Sequence, residues 1–141
     1  MNLGVVMDLS SHGIVALVRN DEGRFLLLKE ARQEMQGCWA PPHGCLESSD
    51  KSEEAGVARE VYEETGLHVE PVKKIFSQAA DTKVKTVAFW LVDVAGWSNL
   101  EIDKTESSDH GWFSLDEVLE LKLYPGTRIF FEKVASGDLV L

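Results

Sequence analysis

The chain has 141 residues, 44% hydrophobic and 27% charged, a balance that predicts one globular domain over residues 1–141 with a core of its own. It carries 24 Asp and Glu against 14 Lys and Arg, net −10, which argues against a protein that wraps a nucleic acid polymer through cations on its phosphates. No stretch reaches the roughly 20 apolar residues of a membrane helix, and two cysteines, Cys38 and Cys45, are too few for a disulfide scaffold, so the expected setting is cytoplasmic with no membrane partner.

Along the chain, Ile14–Arg19 reads as a buried strand, Asn20–Gly23 as a turn, and Phe25–Leu28 as a second apolar run, together a predicted hairpin. Glu30 to Ser49 is irregular, with Gly37, Pro41-Pro42 and Gly44, and a loop of that length inside a compact domain usually carries function. Ser52 then predicts a helix N-cap, with Glu53 and Glu54 in the first turn, and Gly66 the residue that ends the helix. Beyond it lie LHVEPV, a possible strand over Lys73–Ala79, and the strongest β pattern, Val84–Val94. Asp103–Gly111 reads as a polar loop before Trp112-Phe113. Ser114 is the expected cap of a helix beginning LDEVLEL, and a last helix is expected over Thr127–Val134. Mixed strands and helices in this order predict an α/β fold with a mixed sheet and helices on both faces.

The first helix concentrates the chemistry. At about 100° per residue, Glu60, Glu63 and Glu64 fall within one arc of about 100°, and Glu53 shares it two turns earlier. Glu63 and Glu64 stand in the last turn, where the helix dipole disfavours anions by about 0.3–1 kcal/mol each. A hard divalent cation such as Mg²⁺, which takes oxygen ligands and also contacts phosphates, is the natural partner for such a stripe. A solvated acidic helix face is the plainer alternative.

The run Arg59-Glu60-Val61-Tyr62-Glu63-Glu64-Thr65-Gly66-Leu67 resembles the second half of the Nudix (MutT-like) hydrolase box, matching Arg-Glu-aliphatic-any-Glu-Glu-any-Gly-aliphatic at every defined position. The family pattern opens with Gly, five residues, Glu and seven residues, and here one extra residue intervenes. Counting from Gly44 puts Asp50 at the Glu, whereas counting back from Arg59 puts Lys51 there and Cys45 at the Gly. Trp39–Glu47 is similar to the loop that precedes the box, and Glu106, before Gly111-Trp112-Phe113, stands where many members place a further metal-binding carboxylate.

The resemblance implies an α/β/α sandwich with a mixed β-sheet, and Mg²⁺- or Mn²⁺-dependent hydrolysis of a nucleoside diphosphate linked to another group. On this reading Glu60, Glu63, Glu64 and Glu106 hold metal, with Glu64 or Glu106 as general base. Arg59 orients Glu47 or Asp50 and points away from the Glu stripe; Gly44, Glu47 and Lys29 are the candidate substrate contacts. His43 and His110 are expected to be solvated loop residues. The Pro and Tyr that sort some members by substrate would fall near residues 82–85, and neither type is there. Two other readings stay open at this point. One is a Nudix-fold binding or regulatory module with little hydrolysis, favoured by the shifted half-box and disfavoured by the three intact helix carboxylates. The other is an acidic interaction domain without metal, which a Mg²⁺-dependent rise in melting temperature would exclude.

Overall fold

The computed structural model describes residues 12–79, 85–97 and 99–141. Its elements are β1 (His12–Val18), β2 (Phe25–Glu30), β3 (Trp39–Ala40), β4 (His43–Cys45), α1 (Glu53–Thr65), β5 (Val69–Ala79), β6 (Thr86–Val94), β7 (Ser107–Phe113), α2 (Leu115–Leu119) and α3 (Pro125–Ser136). One sheet has the order β4-β1-β6-β5 and is mixed, because β1 runs parallel to β6 and antiparallel to β4. The other, β3-β2-β7, is antiparallel throughout.

The continuous apolar runs of β1 and β2 are explained by burial on both faces, which removes the alternation seen in half-exposed strands. Ile14, Ala16 and Val18 of β1 and Leu26 and Leu28 of β2 pack with Val57 and Val61 of α1. Val15, Leu17, Phe25 and Leu27 pack on the other side with Val118 of α2 and Phe130 and Phe131 of α3. Helix, sheet and helix layers result, the expected sandwich. Phe89 lies in the second cluster, stacked on Phe130 at 4.3 Å, and Trp112 borders the first. Among the described residues no helix is long and apolar enough to cross a membrane.

Several elements differ from the sequence reading, and the stretch read as irregular over Glu30–Ser49 contains the short strands β3 and β4. The predicted hairpin pairs only at Arg19↔Phe25, after which β1 and β2 enter different sheets, because β6 and β4 already take the two edges of β1. The last four residues of LHVEPV, from Val69, and Lys73–Ala79 form one strand, β5, at the edge of its sheet, where Pro71 removes no needed donor. The polar loop expected over Asp103–Gly111 becomes strand from Ser107, since β7 is an edge strand with no requirement for apolar residues at its open end. The predicted strand over Val84–Val94 begins at Thr86; residue 84, like most of the 82–85 segment, lies outside the described residues.

Gly56 lets α1 approach the loop before it. A Cβ there would lie 2.7 Å from Leu46 Cδ1 and 2.9 Å from both Asp50 Oδ2 and Ile14 Cδ1. Gly56→Ala should therefore lose about 1–2 kcal/mol to overpacking, net of its better helix propensity. Urea denaturation checks this, and an unchanged midpoint would show that the loop yields freely.

Candidate functional site

Helix α1 is delimited as its end residues predict. Ser52 Oγ accepts from the Ala55 N–H at 3.0 Å, and Gly66 turns left-handed at φ 76°. Its last two turns press against the segment carrying β4. Glu60 lies over the bare Cα of Gly44, where a Cβ would come within 2.1 Å of the Glu60 carboxyl carbon. Glu64, 4% exposed, accepts one backbone hydrogen bond, from the His43 N–H at 3.3 Å. Burial pushes the Glu60 carboxyl up to about 7 against the opposing pull of Arg59. It pushes Glu64 well above the usual carboxylate range, and the nearby charges of Glu60 and Glu106 add to the effect. Glu63 points to solvent.

Arg59 does not point away from this stripe. Its guanidinium binds both Asp50 oxygens, at 2.8 and 2.9 Å, and reaches Glu47 at 3.1 Å, Glu60 at 2.8 Å, Glu63 at 3.2 Å and the Cys45 carbonyl at 3.1 Å. A helical-wheel projection gives the direction of Cβ, and a flexible arginine chain carries its head well away from that line. Asp50 also accepts from the Glu47 N–H at 2.8 Å, and Arg59 holds its carboxyl below the usual range. Lys51 is exposed.

Glu53 leaves the stripe, because it accepts from Trp90 Nε1 at 2.6 Å, pairs with Lys74 at 3.0 Å and bonds His12 at 2.9 Å, tying the start of α1 to the larger sheet. Lys29 alternates on β2 with Leu28 and Glu30, so it shares the face of Phe25 and Leu27, with its ammonium 6.0 Å from the Trp39 ring centre. His110 is exposed as expected. His43 is not a solvated loop residue. It is half-buried and edge-on to Tyr124 at 5.0 Å, with Nδ1 2.9 Å from the Pro41 carbonyl. Burial lowers its pKa.

A second charged group went unread in the sequence. Glu30, 5% exposed at the end of β2, takes Arg32 Nε at 2.5 Å, Arg32 Nη2 at 3.0 Å and the Tyr124 hydroxyl at 2.7 Å. Burial would raise its pKa, but these donors together hold it below the ordinary value. Arg32 Nη1 lies 3.4 Å from Glu106. The available clue was parity: Glu30 follows Leu26 and Leu28 on the face of the strand turned toward α1.

Glu60 and Glu106 bring negative charge close enough to be felt at Glu64, which is buried and has no cationic partner of its own within ion-pair distance among the described residues, and carboxylate oxygens suit a hard divalent cation. Among the described residues no group of three His, Cys, Asp or Glu side chains stands in a geometry that holds a metal ion; Arg59 draws Glu60 and Glu63 to itself. The donor set therefore fits such an ion in chemistry, with side-chain rotation needed to bind it. A broad open hollow of about 510 Å³ at the end of α1 is walled by Glu63, Tyr62 and His68, but by neither Glu60 nor Glu64.

Residues 10–134 match the family model described as the NUDIX domain. A MutT-like protein of Streptomyces ambofaciens is 35% identical over 112 residues, which are 79% of this chain and 69% of that protein. The asymmetrical bis(5'-nucleosyl)-tetraphosphatase of Rattus norvegicus is 31% identical over 117 residues, 77% of this chain and 76% of its own length. Of two other relatives the chain spans only 33% and 39% of the length. The crystal structure of a MutT protein from Methanosarcina mazei Go1 superposes with a TM-score of 0.74 at 30% identity, covering 90% of this chain and 94% of that one.

Proposed function

The chain belongs to the NUDIX family, and from that premise we propose that it is a single-domain, divalent-metal-dependent pyrophosphohydrolase acting on a small nucleotide or related diphosphate. The observation that carries this reading is the pair Glu60, half-buried over Gly44, and Glu64, buried one turn later on the His43 N–H, with both carboxyls pushed up. Helices rarely withdraw two neighbouring acids from water, and for Glu64, in the last turn of α1, the dipole adds to the cost. A tetraphosphatase among the relatives supports the substrate class.

Glu60, Glu63, Glu64 and Glu106 would hold Mg²⁺ or Mn²⁺, which supplies polarisation of phosphoryl oxygens and acidification of the attacking water. The general base is Glu64 or Glu106. Glu64 has the stronger claim, because burial and its anionic neighbours raise its carboxyl well above the ordinary range, the direction in which a general base is tuned. Arg59 and Asp50 work through the groups they hold: Arg59 gathers Glu60 and Glu63, and Asp50 anchors Arg59 to the loop that carries Gly44. Gly44 gives substrate and carboxylate close access to backbone. Glu47 belongs with the partners of Arg59, and Lys29, drawn to Trp39, is left outside the site.

Phosphate release measured over nucleoside triphosphates, dinucleoside polyphosphates and nucleotide sugars tests this. At least one class should be hydrolysed, and EDTA should abolish turnover. Undiminished hydrolysis in excess chelator would overturn the metal mechanism, and inertness toward every class would overturn the assignment.

A further inference from the structure

A chain of net charge −10 that takes an anionic substrate needs a cation of its own with donors to spare, and Arg59 has four carboxylates around it. Arg32 is placed differently. Its side chain is 53% exposed, and Nε and Nη2 are fixed on the two oxygens of Glu30. That leaves the Nη1 edge turned to Glu106 across a long 3.4 Å contact. A guanidinium has five N–H donors, so this edge keeps capacity for a second anion. We propose that Arg32 is a phosphate-binding residue of the site, taking a phosphoryl oxygen of a diphosphate ester on the edge that faces Glu106, with Glu30 and Tyr124 as the positioning residues that hold it. The substrate class in this statement rests on the hydrolase reading.

Three observations carry the assignment. The first is Glu30, a carboxylate at 5% exposure that receives Arg32 Nε and Nη2, the Arg32 backbone N–H at 2.9 Å and the Tyr124 hydroxyl. A buried ion pair is weak as a device for stability, since apolar residues of similar volume usually do as well; a carboxylate with this many donors serves to fix the guanidinium plane. The second is location. Tyr124 packs edge-on to His43, whose backbone N–H binds Glu64. The third is that the outer edge of the guanidinium meets an anion only loosely, Glu106 at 3.4 Å, so that Nη1 can serve a phosphoryl oxygen beside that carboxylate, and the planar fork of Arg suits phosphate better than an ammonium does.

Titration calorimetry of the full chain with methylenediphosphonate, a non-hydrolysable diphosphate, in the presence of Mg²⁺ tests the proposal, alongside KM and kcat on the substrate class that turns over. Arg32→Ala should weaken diphosphonate binding about 10- to 100-fold, the loss of a charged hydrogen-bonding partner. Arg32→Lys, which keeps the charge without the fork, should fall between Arg32→Ala and wild type and covers the case in which Arg32→Ala does not fold. Tyr124→Phe should raise KM with little change in kcat, a split that a purely structural role would not produce. Arg24→Ala, at the opposite end of β2 beside Glu117, should bind as wild type does.

Turnover with unchanged Kd and KM in Arg32→Ala would overturn the phosphate role and leave the hydrolase reading standing. Arg32-dependent diphosphonate binding without turnover of any substrate would support the phosphate role and overturn the hydrolase reading. A wild-type chain that binds no diphosphonate would overturn the proposal.

Discussion

Glu64→Gln should lower kcat by on the order of 10² or more, as expected for loss of a metal ligand or general base, and should make the metal-free protein more stable at neutral pH. The sign follows from the direction of the pKa shifts. Glu60 and Glu64 titrate higher in the folded chain than the ordinary carboxylate value of 4.5, Glu60 at about 7. Their contribution is therefore fully present below that ordinary value and is lost as pH rises through the folded one. For Glu60, whose carboxyl is partly screened by solvent, the difference corresponds to on the order of 1–2 kcal/mol, a few degrees of melting temperature for a chain of this size. Metal-free wild type should thus lose stability between about pH 5 and 8, and both Glu60→Gln and Glu64→Gln should flatten that slope. Mg²⁺, bound by the folded chain alone, should restore the loss, and more strongly at the alkaline end where both carboxylates are ionised. Melting curves across pH, with and without Mg²⁺, measure all of this. A flat wild-type curve, or a Glu64→Gln variant at full rate, would show that the buried acids have a structural role only.

The same residues show what a sequence discloses. Helix α1 was legible end to end, because Ser52 and Gly66 act locally and Val57 and Val61 recur at helical spacing. The capping box of Ser114 and Glu117, equally local, started α2 where expected. Sheet membership was not legible: strands β1 and β2 look alike in sequence, and their separation depends on β6 and β4, distant segments that compete for the edges of β1. In the site, the stripe of acids came from one helix and was readable, but its environment came from elsewhere. Gly44 and His43 bury Glu60 and Glu64 from the loop before the helix. The Glu30–Tyr124 contact joins residues 94 positions apart, and no local pattern points to it. Glu53 fits the stripe by angle and leaves it by contact, since His12, Trp90 and Lys74 reach it first.

Arg59→Ala should be the most damaging single change for folding, with a loss of about 3–5 kcal/mol, the usual penalty for removing one partner of a buried ion pair. The reason lies chiefly with Asp50, whose side chain is 4% exposed and whose two oxygens both rest on the guanidinium. Without Arg59 the remaining donor to Asp50 is the Glu47 N–H, and an ionised carboxylate so enclosed is unfavourable. Glu47 and Glu63, both exposed, contribute little to the loss. Asp50→Asn should cost less stability, because an amide oxygen still accepts from Arg59. It should nevertheless lower activity about 10- to 100-fold, the range for a group that orients metal-binding residues. Lys51→Ala should change neither, since Lys51 faces solvent. A pH signature separates these outcomes from a general loss of packing. Asp50 titrates below its ordinary value of 3.8, so the stability it contributes is present above that value and disappears as pH falls through the folded one. Acid-unfolding curves should therefore lose this component in both Arg59→Ala and Asp50→Asn and keep it in Lys51→Ala. Equal curves for all three variants, or a Lys51→Ala enzyme as slow as Asp50→Asn, would mean that the loop runs in the other register, with Lys51 rather than Asp50 facing Arg59.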